Sequence, residues 1–372
     1  MRNGKFVTKL SGDIKYRAFI PSPPDFEIRY DDSLNRILSQ ADLALGRLDG
    51  IAEIMPNVDY FIFMYVGKEA TLSSQIEGTQ ATFSDFLKAE ANIETGNDVD
   101  EIRNYIDTLN YGLSRLKEIP ISLRLLQEIH KKLLKGVRGE HRAPGEFRKT
   151  QNWIGGSSLS NAVFIPPPVP EMKDALYELE KFFHKNSFIP ALIKAALIHS
   201  QFESIHPFLD GNGRIGRLLI TLYLCQNGIL RKPLLYLSEF FKRHKQVYYD
   251  KLTMIREKDD IEGWIKFFLD GIKVTSESAI ETIRKIIELK NKHTEIIIKN
   301  GKREKSAFIL LKYLYSNPVV NIRIVEKITQ IKNPNAIALV SMFEKLGILK
   351  EITGGRRNKV FEYYDYFSLF RK

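Results

Sequence analysis

The sequence predicts a mainly α protein, and three observations carry that expectation. Apolar residues recur at three- and four-residue spacing in segment after segment. Extended runs are confined to the region between His141 and Pro170 and to the end of the chain. The stretch from His206 to Arg217, His-Pro-Phe-Leu-Asp-Gly-Asn-Gly-Arg-Ile-Gly-Arg, interrupts two apolar helical patterns and therefore reads as a helix-loop-helix corner.

In chain order, residues 1 to about 30 read as a polar arm ending in Pro21-Ser22-Pro23-Pro24, which drapes over the surface because proline suits neither an interior strand nor a helix. Asp31 or Asp32 then caps a helix that carries Leu34, Ile37, Leu38, Ala41, Leu45 and Leu48 on one face. A second helical pattern runs from Tyr60 to Glu77 and stops at Gly78. Its ending is unusual. Glu77 places a negative charge at the negative end of its own helix dipole, which calls for a cation opposite, and Ser73 lies one turn earlier where it can support the carboxylate.

A charged link around Glu94 to Asp100 precedes helices from Val99 to Leu116 and from Ser122 to Leu134. Gly145 to Ile154 and Ala162 to Ile165 are extended runs separated by Gly155-Gly156-Ser157-Ser158 and closed by three prolines, a hairpin-like flap. The motif follows its lead-in helix. Beyond it, Phe240 to Ile255 is helical, with one of Tyr248 and Tyr249 facing the core and the other the pocket, and Trp264 to Ile272 completes a bundle. A long helix runs from Glu277 to Lys305. Three helices follow, Ser306 to Leu314, Ile322 to Gln330 and Asn335 to Leu346, with strands Ile348 to Ile352 and Val360 to Tyr364 about a basic turn.

The motif concentrates chemistry. Pro207 discourages a helical residue before it, Gly211 and Gly213 leave room against bare backbone, and the free amides of the second helix make an anion site. Asn212 adds an amide donor, Arg214 and Arg217 suit phosphate oxygens, and Asp210 can hold Mg²⁺ against the same phosphates. A neutral His206 beside such a cradle can take a proton from an incoming hydroxyl.

Every fixed position of this stretch resembles the signature of the Fic (Fido) family, His-Pro-Phe-x-Asp/Glu-Gly-Asn-Gly-Arg-x-x-Arg, and Lys194 to Ile205 is similar to that family's lead-in helix. Ser73 to Gly78 is similar to the family's inhibitory motif, Ser/Thr-x-x-x-Glu-Gly/Asn, in the subclass that carries it ahead of the catalytic core. The resemblance implies a Fic helical bundle with a β-hairpin flap and a protein adenylyltransferase that uses ATP and Mg²⁺. In that reading His206 is the base and Asp210 the metal ligand. Phe208, Gly211, Asn212, Gly213, Arg214, Arg217 and Tyr248 bind the nucleotide, and Ser73, Glu77 and Gly78 inhibit. The target hydroxyl docks on the flap, residues 145–166, by strand-type pairing.

The tail resembles a winged helix-turn-helix, with Asn333 and Asn335 near base-reading positions and Arg356, Arg357 and Lys359 placed for phosphates. The expected domains are therefore 1–98, an N-terminal helical segment; 99–272, the Fic catalytic domain; and 273–372, a linker helix and winged helix. The alternatives left open are another transfer by the same site, such as phosphate transfer or removal of AMP, and a DNA-binding regulator whose core senses nucleotide.

Composition bounds the rest. At 372 residues with a net charge of +11, the chain suits polyanion partners, whether nucleotide, nucleic acid or acidic protein. One cysteine, Cys225, excludes an internal disulfide and reads as a buried thiol. With no signal-type leader and no run as long as a membrane span, the expectation is a cytoplasmic protein. A homodimer is consistent with the resemblance, and the sequence does not name the target.

Overall fold

The computed structural model describes residues 1–54, 58–91, 98–186, 188–355 and 358–371. The start of the chain is not a draped arm but a hairpin. Strands β1 (Gly4–Ser11) and β2 (Ile14–Pro21) pair antiparallel, Gly4 opposite Pro21 and Ser11 opposite Ile14. The Gly12-Asp13 pair supplies the tight turn, with Gly12 at φ +57°. Pro21 is compatible because it ends β2 at a position whose nitrogen faces away from β1. Arg2 moors the hairpin to residues 259–262 through Asp259 at 2.9 Å and Glu262 at 2.8 Å.

Helix α1 (Asp32–Ile54) starts under a cap from Asp31, whose Oδ1 accepts the Leu34 N–H at 2.7 Å. Helix α2 (Val58–Ile76) stops before Gly78, which adopts φ +99°. The short α3 (Phe83–Glu90) was not expected; the capping box that starts it, Thr82 with Asp85, is legible as Thr-x-x-Asp. Helices α4 (Val99–Arg115) and α5 (Leu123–Leu133) follow, the latter capped by Ser122.

The flap between Gly145 and Pro168 keeps one antiparallel bridge, Ile154 with Phe164, rather than two paired strands. Asn161 takes up the amides of Ser157 and Ser158 through its side chain, which closes the tip into a compact loop.

Helix α6 (Val169–His184) leads to α7 (Ala191–Ile205), α8 (Asn212–Gln226), α9 (Ser238–Arg243), α10 (Lys245–Lys258) and α11 (Ile261–Asn300). Helix α7 is buried on every side from Leu192 to Ile205, polar residues included, so it forms the axis on which α6, α8 and α11 pack. Helix α1 lies along α11, which is one continuous 40-residue helix. It carries both Trp264–Ile272 and the long helix expected from Glu277, so position 272 falls inside a single element.

The end of the chain is α12 (Glu304–Leu314), β3 (Val319–Asn321), α13 (Ile322–Thr329), α14 (Asn333–Lys345), β4 (Lys350–Glu351), β5 (Val360–Glu362) and α15 (Tyr364–Ser368). Its antiparallel sheet has the order β3-β5-β4. Arg356 and Arg357 lie outside the described residues. Lys359 is paired with Glu351 at 2.7 Å. Among the described residues no helix is long and apolar enough to cross a membrane.

Aromatic contacts join the end of the chain to its beginning. Phe370 packs on Phe61 and Tyr65 of α2, with ring centroids 6.4 and 5.7 Å away, and Phe367 packs on Phe83 of α3 at 5.5 Å. Phe370 is almost fully buried. Replacing it, Phe370→Ala, should lower unfolding free energy by about 3 kcal/mol in denaturant titrations, whereas an unchanged midpoint would show that the contact adds nothing.

Candidate functional site

The loop between α7 and α8 is held in one shape by its own residues. Helix α7 ends with His206 in the left-handed region, φ 48° and ψ 61°, while its N–H still donates to Phe202 O at 2.9 Å. That conformation costs a β-carbon residue about 1 kcal/mol or more, so neighbours must impose it. Asn212 closes the loop, its Oδ1 accepting the Phe208 N–H at 2.9 Å and its Nδ2 donating to Phe208 O at 2.8 Å. Asp210 Oδ1 accepts the Gly211 N–H at 2.6 Å, and Gly211 turns at φ 76° into α8.

Three residues outside the motif clamp it. His130 of α5 accepts the Gly145 N–H on Nδ1 at 2.8 Å, which leaves Nε2 protonated and donating to Asp210 O at 2.9 Å. Its ring stacks on Phe208, centroids 3.7 Å apart and nearly parallel. Arg148, buried at the base of the flap, donates Nε to His206 O at 3.1 Å, reaches Thr150 O and Pro167 O, and gives its own N–H to Pro207 O at 2.9 Å. Asn152 Nδ2 donates to Phe208 O at 3.0 Å and to His206 O at 3.3 Å.

Burial pushes the His206 imidazole down to about 3, so it is neutral around pH 7. Its Nδ1 is buried with no hydrogen-bond partner among the described residues.

Opposite this loop, the end of α2 meets the first turns of α8. Glu77 Oε1 accepts from Arg217 Nη2 at 2.7 Å. Ser73 serves the arginine rather than the carboxylate: its Oγ accepts Arg217 Nε at 2.8 Å and its carbonyl accepts Nη2 at 2.9 Å. Burial raises the Glu77 carboxyl, but the charge and hydrogen bond of Arg217, with Arg214 behind them, outweigh it and hold the group below the usual carboxylate range. Two more cations cover this helix end, Arg138 donating to Glu77 O at 3.2 Å and Lys245 to Ile76 O at 2.9 Å. Gly213 explains the fit. A Cβ there would overlap Glu77 Oε1 and lie 3.0 Å from Arg217 Nη1, so the bare backbone at this corner faces the Glu77 carboxylate.

Arg214 is wholly buried, its Nη1 3.5 Å from Glu101 Oε2 and its Nη2 3.8 Å from Asp210 Oδ1. Neither Nε nor Nη2 has a hydrogen-bond partner among the described residues. Buried guanidinium donors left open in this way suit an anion.

Family comparison accords with this geometry. Residues 35–114 match the model described as Fic/DOC family N-terminal, and residues 120–224 match the Fic/DOC family model. The chain belongs to the Fic/DOC family. It is 27% identical to a probable protein adenylyltransferase of Aquifex aeolicus (strain VF5), over 77% of this chain and 83% of that one. It is 34% identical to the protein adenylyltransferase Fic of Culex quinquefasciatus over 40% of this chain, and that match spans only 27% of the relative. The fold is similar to that of a Fic family protein from Desulfovibrio desulfuricans G20, with a TM-score of 0.59 over 92% of this chain and 98% of that one at 15% identity.

Within this Fic/DOC site three positions differ from their sequence expectations. Phe208 is fully buried between His130, Phe147 and Phe202, so it anchors the loop from inside. Asn212 spends both ends of its carboxamide on Phe208, which makes it the lock of the loop rather than a spare donor. Tyr248 is the core member of its pair, its hydroxyl 2.9 Å from His199 Nε2, and Tyr249 is the exposed one.

Sequence reasoning missed His130, Arg148, Asn152 and Glu203, none of which has a spacing that distinguishes it. Glu203 is buried one turn before His206, has an unpartnered Oε1 among the described residues, and is pushed by burial up to about 7. Among the described residues no three metal-ligating side chains converge.

His199, between Gly216 O and the Tyr248 hydroxyl, is pushed down to about 3 by burial, from an ordinary value of 6.5. An unfolded chain therefore binds a proton that the folded one refuses, and this contribution to stability, complete above pH 6.5, is lost as pH falls toward 3. Between pH 7 and pH 5 the wild type should lose about 2 kcal/mol more than His199→Gln in denaturant titrations. Identical pH dependence would contradict the neutral, buried assignment.

Proposed function

We propose that this chain transfers AMP from ATP to a Ser, Thr or Tyr hydroxyl of a target protein, with its own chain among the acceptors. The observation that carries the reading is a neutral, strained His206 at the mouth of a helix N-terminus where the buried Arg214 leaves donors open to an anion and Arg217 already holds one, the Glu77 carboxylate. The names of the Aquifex and Culex relatives support it.

In this mechanism the acceptor hydroxyl attacks the α-phosphorus of ATP while His206 takes its proton. The new oxygen–phosphorus bond forms as the bond to the β-phosphate breaks, and pyrophosphate leaves. The amides of Asn212 and Gly213 at the start of α8 stabilise charge at the α-phosphate, while Arg214 and Arg217 hold the outer phosphates. Asp210, a single part-exposed carboxylate at the lip of this cradle, suits Mg²⁺, which takes one or two carboxylates and completes its shell with phosphate oxygens and water. When bound, that ion neutralises phosphate charge. Tyr249, exposed beside the site, is better placed than Tyr248 to meet the nucleotide.

In the same reading Glu77 restrains the enzyme. Its ion pair occupies the arginine that the γ-phosphate needs, and its carboxylate repels that phosphate, so ATP enters in a pose unsuited to attack. The flap, residues 145–166, receives the target segment. In this reading the C-terminal helices and sheet serve as a winged helix that contacts protein or DNA, and the protein is cytoplasmic and forms a homodimer.

Removing the base should separate binding from chemistry. With ATP labelled at the α-phosphate, His206→Ala should lower label incorporation by about 10² to 10⁴ while calorimetric ATP affinity stays within about twofold of wild type. Transfer at the wild-type rate would refute the role of His206, and a parallel loss of ATP binding would make it a structural residue.

A further inference from the structure

The hairpin β1–β2 presents a bare edge to the flap. Ser22 donates its N–H to Asn3 O at 2.9 Å, and the register sets Phe6 opposite Phe19, Thr8 opposite Arg17 and Leu10 opposite Lys15. Directly opposed residues of an antiparallel pair alternate between exchanging both bonds and exchanging none. Asn3 with Ser22 is a bonded pair, hence Lys5 with Ile20 is too, and the pairs of Phe19, Arg17 and Lys15 are not. The main-chain groups of those three residues therefore point away from β1.

Phe19 uses its outward N–H on the flap, donating to Ile165 O at 3.0 Å. From that bond toward Lys15 on one side and Leu159 on the other, the two segments part and enclose a groove of about 290 Å³. Arg17 and Lys15 make no main-chain bond outside the hairpin among the described residues. A strand edge left open in this way takes up extended peptide.

The groove is also positively charged. Lys15 and Arg17 line it, exposed and with no ion pair among the described residues, and Arg17 lies 3.7 Å over the Phe6 ring. Arg256 forms the floor, 3.7 Å over Phe164, and donates to Ser204 Oγ at 3.3 Å, two residues before His206. One carboxylate, Glu257, shares this wall. The groove thus adjoins the helix end that carries the proposed base.

We propose that the groove between β2 and the flap receives an extended acidic segment of the protein bearing the acceptor hydroxyl. The edge of β2 pairs with its main chain, and Lys15, Arg17 and Arg256 select Asp or Glu beside the hydroxyl. This rests on the AMP-transfer reading and adds side-chain selectivity to a flap whose main-chain pairing supplies little.

Fluorescein-labelled peptides with one threonine flanked by glutamates, or by lysines, can be titrated against the full chain by anisotropy and then offered as AMP acceptors. The glutamate peptide should bind about tenfold more tightly at low salt. The double variant Lys15→Glu with Arg17→Glu should abolish or invert that preference and leave ATP affinity unchanged. The milder Arg17→Gln, compatible with a paired strand, should weaken the glutamate peptide by about threefold. Equal binding of the two peptides, or a preference that survives the charge reversal, would overturn the groove assignment. Selective binding without AMP transfer, in Glu77→Gly as well as in the wild type, would instead leave the groove standing and remove the transfer reading.

Discussion

Glu77 and Arg217 meet at 2.7 Å across the gap between the end of α2 and the start of α8, and the surrounding geometry follows from that contact. A carboxylate at a helix C-terminus opposes its own dipole, so it persists only because Arg217 faces its side chain while Arg138 and Lys245 take up the adjacent carbonyls. Arg217 in turn is buried, and removing one member of such a pair strands the other charge at a cost of about 3–5 kcal/mol. The guanidinium therefore needs an anion at all times. In the proposed mechanism a phosphate competes with the carboxylate for the same donors, and exchange between them is easier than loss of either. Gly213 and Ser73 make this possible, one by leaving space for the carboxylate and the other by fixing the arginine from behind.

The second constraint is the strained His206. Its carbonyl is held by Arg148 and Asn152, its loop is locked by Asn212, and the carbonyl of Asp210 is pinned by His130. The clamps come from the flap, from α8 and from α5, so His206 is held from three sides. Burial keeps its imidazole neutral, the form that can accept a proton.

The helices were legible because their apolar spacing is regular, and the motif because its residue types are improbable together. Dipole logic asked for a cation opposite Glu77 and the resemblance to the inhibitory motif singled the residue out; the cation is Arg217. The hairpin was missed because Pro21 to Pro24 dominated the reading, although Gly12-Asp13 between β-forming residues carried the signal. The motif singled out Phe208 and Asn212, but a motif does not encode that their side chains turn inward to hold the loop. His130 and Arg148 were not legible at all. Their partners are main-chain atoms far away in sequence, and no local spacing encodes such contacts.

The central claim is that Glu77 and the γ-phosphate compete for Arg217. The direct measurement is AMP incorporation from α-labelled ATP by wild type, Glu77→Gly, Glu77→Asp and the double variant Glu77→Gly with Arg217→Ala, at one ATP concentration. The account predicts a rise for Glu77→Gly, a smaller rise for Glu77→Asp because its shorter side chain reaches the arginine poorly, and loss of the gain in the double variant. Equal incorporation by wild type and Glu77→Gly would contradict it.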